Sequence, residues 1–172
     1  MTGVQTCALP ISTGTAILGS GGLEGYRVQS GSVVIEGNGL DGTRSDYTEI
    51  IARSVQINAG IWAQGLTVAT GNGQFDNSNA MVAPVTAGTS APSFAIDVSH
   101  LGGMYAGKIA LIGTEAGVGV RNAGHIGGSA GAVTVSANGR LENAQGATIY
   151  ASAGINLNAA DVIENNGSIS SQ

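Results

Sequence analysis

Apolar residues in the second half of this chain recur in short alternating pairs, not in helical stripes. Ile109/Leu111, Val133/Val135 and Ile155/Leu157 each set two apolar residues one position apart, and successive pairs are 24 and then 22 residues apart. A second series, Val120, Leu141 and Ile163, advances by 21 and 22. Upstream, Val33/Ile35 and Val55/Ile57 are 22 apart, and "INAGI" at 57–61 echoes "RNAGHI" at 121–126. Alternation over two or three positions is strand spacing, and self-similarity at a fixed period of this size marks a solenoid. Gly, Asn and Ala fill the gaps, as tight turns between short strands require. Three short strands per turn, each stacked on the next turn at about 4.8 Å, predict an all-β fold, a parallel β-helix with coils of about 22 residues. The helical stretches that a doubly wound α/β fold would need between strands are scarce. Residues 13–172 then amount to roughly seven coils, a rod of about 35 Å.

One phrase recurs three times at this period: Val120-Arg121-Asn122, Leu141-Glu142-Asn143 and Ile163-Glu164-Asn165. In a strand the first residue would point inward, the charged one outward and the asparagine inward again. Asn tolerates positive φ at a bend, and its amide can bond to the amide in the coil above and below. Asn122, Asn143 and Asn165 are therefore the candidate structural ladder, satisfying buried amides and fixing the register between coils. The competing arrangement has them facing solvent as turn residues. Residues 72–100 break the period: Pro84 and Pro92, in a Ser/Thr/Asn/Gly-rich stretch, predict an excursion from the rod. Such an excursion is either a tolerated surface insertion or a loop that contacts a partner.

Composition narrows the function classes. Of 172 residues 29 are Gly, only 10% are charged and 42% are hydrophobic, which is too apolar for a disordered chain. That much Gly would also be costly in helices, at about 1 kcal/mol per interior position. Six scattered basic residues and a net charge of −5 give nothing to neutralise a row of phosphates, so no nucleic-acid partner is expected. No apolar run approaches the ~20 residues of a membrane span, so no stable membrane insertion is expected. The one cysteine, Cys7, excludes a disulfide framework and a Cys-based metal site. Residues 1–12, "MTGVQTCALPIS", show no periodicity and neither a basic n-region nor a long apolar core. They resemble translated sequencing adapter and are expected to be a non-native artefact, with the true protein starting upstream.

Motifs that would carry chemistry are present only in outline. Gly127-Gly128-Ser129-Ala130-Gly131 matches G-x-S-x-G, but His125 is four residues from the serine and no helix is expected to follow, as a nucleophile elbow requires. Gly37-Asn38-Gly39-Leu40-Asp41-Gly42 matches G-x-G-x-x-G, and Ser45–Arg53 could make a turn or two of helix. The acid expected some 20 residues on is missing, since position 61 is Ile. Asp41, Asp46 and Glu49 could hold Ca²⁺ on a loop, though they read more simply as a solvated acidic face. His100 and His125 lie far apart, and Trp62 and Tyr105 read as packing residues in preference to sugar platforms. No catalytic, metal or cofactor-binding residue is assigned, and no cofactor is expected.

Three long stretches carry a family resemblance: "GLEGYRVQSGSVVIEGNGLDG" (22–42), "YTEIIARSVQINAGIWAQGLTVATG" (47–71) and "LGGMYAGKIALIGTEAGVGVRNAG" (101–124). They look like the two-partner secretion domain of large bacterial exoproteins, in particular filamentous haemagglutinins and contact-dependent growth-inhibition proteins of the haemagglutination activity domain family. The resemblance implies a right-handed β-helix and a structural, non-enzymatic export segment, secreted or held at the surface of a Gram-negative cell. It implies residues 13–106 as the carboxy-terminal part of the secretion domain and residues 107–172 as the first haemagglutinin-type repeats. The implied partners are an outer-membrane β-barrel transporter with periplasmic recognition domains and, for the whole exoprotein, a host or neighbouring-cell surface. The family's early Asn-Pro-Asn motifs are absent, the only prolines being Pro10, Pro84 and Pro92, so recognition by the transporter is expected to lie upstream. Two alternatives share the architecture. A β-helix polysaccharide lyase or hydrolase would need clustered acids with a basic residue on one face, and a carbohydrate-binding adhesin surface would need an exposed aromatic row.

Overall fold

The computed structural model describes residues 7–87 and 89–172, and every helix or strand assigned among them is a strand. β1 (Ala8–Ser12) precedes a hairpin of β2 (Thr15–Gly19) and β3 (Gly22–Val28). The rod then builds coil by coil. β4 (Ser32–Ile35), β5 (Leu40–Gly42) and β6 (Tyr47–Ala52) make one coil, and β7 (Ser54–Ile57) with the long β8 (Gly60–Thr70) makes the next. After β9 (Gly73–Asp76) and β10 (Met81–Pro84), the rod resumes with β11 (Phe94–Val98) and β12 (Gly103–Gly113). Two regular coils follow: β13 (Gly119–Asn122), β14 (His125–Gly128) and β15 (Val133–Ala137), then β16 (Leu141–Asn143), β17 (Thr148–Ala151) and β18 (Ile155–Ala159). β19 (Ile163–Asn165) and β20 (Ser168–Ser171) begin another.

The strands stack into three faces of parallel neighbours, a parallel β-helix. β4, β7, β11, β13, β16 and β19 form the first face as a six-stranded sheet. The second runs from β5 through the first halves of β8 and β12 to β14, β17 and β20. The third runs from β1 through β6 and the second halves of β8 and β12 to β15 and β18. The sequence period appears here as register. Val33, Val55, Ile96, Val120, Leu141 and Ile163 are successive partners on the first face. Leu40, Ile61, Met104, Ile126, Ile149 and Ile169 are successive partners on the second. Ile50, Val68, Leu111, Val135 and Leu157 run up the third. Apart from Ile163, which is 45% exposed, these inward columns meet along the axis in one core. Each such side chain contributes roughly 1.5–3 kcal/mol by leaving water, which is what a coil too narrow for large layers needs from every inward position.

The rod is shorter than the period alone predicts. Its faces hold six layers, not seven, so first and last strands are about 24 Å apart. The missing residues are spent beside the rod. β10, β9, β3 and β2 form a four-stranded antiparallel sheet. It has its own small core of Val28, Ile51, Ala69 and Phe75, with Tyr26 packed against it. The excursion is also shorter than 72–100: Ile96 and Val98 alternate inward opposite Val55 and Ile57, so β11 is already part of the first face. Ser45–Arg53 is not helical; Thr48, Ile50 and Ala52 alternate inward and make β6 a strand. Of the twelve residues set apart in the sequence, 1–6 lie outside the described residues, while β1 pairs parallel to β6 with Ile11 opposite Ile50.

Candidate functional site

The second inward column of the first face changes character half way along the rod. It reads Ile35, Ile57, Val98, then Asn122, Asn143 and Asn165. Asn122 is 2% exposed and Asn143 fully buried. Asn122 Nδ2 donates to Asn143 Oδ1 at 2.9 Å, and Asn143 Nδ2 donates to Asn165 Oδ1 at 2.8 Å. The same amides reach the next coil's backbone, Asn122 to the carbonyl of Thr148 at 3.2 Å and Asn143 to that of Ser168 at 3.4 Å. Asn122 and Asn165 also accept from the amides of Gly124 and Gly167. The three predicted residues are thus brought into one chain of bonds. The reason differs in one respect: among the described residues only Asn79 is a non-glycine at positive φ, so the column keeps strand backbone and no left-handed bend is involved.

The outward column between these two reads Val34, Gln56, Asp97, Arg121, Glu142 and Glu164. Arg121 grips Asp97 with Nε and Nη2, both at 2.8 Å. That bond to the carboxylate holds the guanidinium above its ordinary pKa. The cations of Arg121 and Arg140 lie 4.7 and 5.2 Å from the centre of the Phe94 ring, and Arg140 also pairs with Glu142 at 3.1 Å. These basic residues look scattered along the sequence; only the register of one coil on the next gathers them.

Trp62 and Tyr105 are register partners on the outside of the second face, each 42% exposed. Their rings stack with centres 6.3 Å apart and planes 20° from parallel. They pack, but on the outer backbone and not in the core. Each ring folds back over the glycine two positions earlier, Gly60 or Gly103, where a β-carbon would take the ring's place. Gly127 and then Tyr150 continue the column. The glycine leaves a groove of about 610 Å³ between the tyrosines, edged by His125, Ser129 and Thr148.

The motif outlines resolve into separate local bonds. Ser129 donates to the carbonyl of Ala106 at 3.3 Å, and His125 Nδ1 lies 2.8 Å from Thr148 Oγ1, so serine and histidine are occupied apart. The glycines at 37–42 turn the chain from β4 into β5, a strand. Asp41 accepts from the Thr43 hydroxyl and amide, which hold its carboxyl below the ordinary range. Asp46 accepts from the Cys7 amide and Glu49 from Asn79 Nδ2. Among the described residues no three metal-ligating side chains converge.

Geometry of this kind defines a β-solenoid whose ordered groups hold one coil to the next. The TPS secretion domain family matches residues 8–143, and the chain belongs to that family. It is 48% identical to Toxin CdiA of Yersinia pestis over 158 residues, 91% of this chain and 5% of that protein. It is 43% identical to tRNA nuclease CdiA-2 of Burkholderia pseudomallei over 80% of this chain and 4% of that one. The crystal structure of the filamentous hemagglutinin secretion domain superposes with a TM-score of 0.81 at 27% identity, covering 95% of this chain and 57% of that one. This chain therefore spans about a twentieth of the length of its curated relatives. It is a segment of a secreted or cell-surface exoprotein, exported through the outer membrane of a Gram-negative bacterium.

Proposed function

We propose that this segment is a non-enzymatic export module that leads into the stalk of a large adhesin or contact-dependent inhibition toxin. The observation that carries the reading is the unbroken register of inward columns from β4 to β19. Each coil offers the next a complete template, so a chain emerging in extended form can fold by successive addition. Its partner in export is an outer-membrane β-barrel transporter with periplasmic recognition domains, and the whole exoprotein then meets a host or neighbouring cell. We assign residues 13–106 to the carboxy-terminal part of the secretion domain and 107–172 to the first haemagglutinin-type repeats, the family match running on through residue 143 into the first of these coils. In support, the asparagine column begins beyond residue 106.

The test is export itself. The chain would be expressed with a periplasmic signal and a cognate transporter, alone and behind the Asn-Pro-Asn-bearing front of a family member. Only the longer chain is expected in the medium. Export of the short chain would move recognition into these residues, and failure of both would overturn the export reading. Cleavage of a polysaccharide panel by the purified chain would overturn its non-enzymatic character.

A further inference from the structure

Arg53 follows β6 at a corner of the rod and is only 3% exposed. Its Nε and Nη2 bond to the two carboxylate oxygens of Glu115 at 3.1 and 2.8 Å. Its Nη1 bonds to the carbonyl and hydroxyl of Thr89 at 2.8 and 2.6 Å. Three distant stretches thus meet at one buried cation: the corner after β6, the returning limb of the excursion, and the corner after β12. The layer between the two corners is where the chain leaves the rod. Ala52, Thr70 and Gly113 are successive register partners, and Gly71, next in line, has a φ of +144° with no room for a β-carbon beside Thr114. The mouth is held by the Thr114 amide and hydroxyl on the carbonyl of Thr70, both at 2.9 Å.

A buried guanidinium with no carboxylate is far less stable than one that is paired. Glu115 lies 62 residues beyond Arg53, so a rod growing from its amino-terminal end reaches this corner before the partner acid exists. We propose that Arg53 is a latch that seats the excursion on the rod and closes only when β12 delivers Glu115. The excursion is then the last part of the amino-terminal half to be sealed, and it opens first without the rod coming apart.

The test uses hydrogen exchange on the whole chain. The amides of Asp76, Asn79 and Val85, bonded within the excursion, are expected to exchange roughly a hundredfold faster in Glu115→Gln, which strands the buried cation. Amides of β16–β20 should not change. Arg53→Met should have a smaller effect, because Glu115 is 16% exposed against 4% for Arg53 and is more readily hydrated. The double variant Arg53→Met/Glu115→Met should return towards the parent. Unchanged exchange in the excursion, or equal acceleration along the whole rod, overturns the latch. Late closure also requires Glu115→Gln to unfold faster while refolding stays within about twofold of the parent; slowed refolding overturns that part. If Glu115→Gln does not fold, Thr89→Ala removes one acceptor and must give the same local pattern at smaller amplitude, a uniform or absent effect counting against the proposal.

Discussion

Asn143 has two amide neighbours where most buried polar side chains find one partner. It accepts from Asn122 in one coil and donates to Asn165 in the other, whereas Asn138, five residues earlier, is exposed and its side chain donates to the carbonyl of Thr114. Asn143→Leu is expected to lower stability by about 1–3 kcal/mol, since it strands buried donors and acceptors on both sides. Asn138→Leu should stay within about 0.5 kcal/mol. Thermal melts showing equal losses would deprive the column of its energetic role. Replacing Asn122, Asn143 and Asn165 together by Val should cost less than the three single changes added, because apolar pairs strand no amide partner. The column was legible because an apolar residue, a charge and an asparagine recur in the same order. Its lower half was not. "INAGI" echoes "RNAGHI", yet the register sets Ile57 in line with Asn122, leaving Asn58 one position beyond the column. A one-residue slip reverses which side chains face inward, and only hydrogen bonding between coils settles it.

The hairpin of β9 and β10 depends on one carboxylate. Asp76 accepts from the amide and hydroxyl of Ser78 and from the amide of Ala80, and these bonds hold its pKa below the ordinary value. A carboxyl depressed by folding adds stability that is complete above the unfolded pKa and disappears as pH falls through the folded one. The amide shift of Ser78 followed by NMR should therefore titrate with a midpoint below about 3.9, the value for a free aspartate. A midpoint at or above that value would remove the carboxylate from the turn's support, and in Asp76→Asn this acid step should be absent. The two prolines marked the excursion in the sequence, but not the sheet it builds. β9 finds β3 through Tyr26, Val28 and Phe75, a non-local match that has no period. For the same reason the rod resumes before residue 100: Ile96–Val98 alternates like any other strand of the rod once its partners are known.

At the scale of the molecule, a rod whose contacts run mainly between adjacent coils need not unfold as one body. The period revealed the rod and its handhold from coil to coil. The layer count runs high because the hairpin and the excursion add to the length of residues 13–172 but build a separate sheet beside the rod. Trp62, the only tryptophan, reports on the amino-terminal half from its stack on Tyr105. Circular dichroism averages over all layers. Ile61 and Ile149 occupy the same inward column of the second face, both essentially buried, three layers apart. Trimming either to Ala should cost about 2–5 kcal/mol. In Ile61→Ala the fluorescence midpoint should fall at least as far as the dichroism midpoint, because the damaged layer is the one that holds the probe. In Ile149→Ala the dichroism midpoint should fall while the Trp62 transition lags behind it, the coils from β4 to β12 outlasting those above. Coincident midpoints in both variants would mean that the rod folds as a single cooperative unit, and that coupling between neighbouring coils exceeds the loss of one inward side chain.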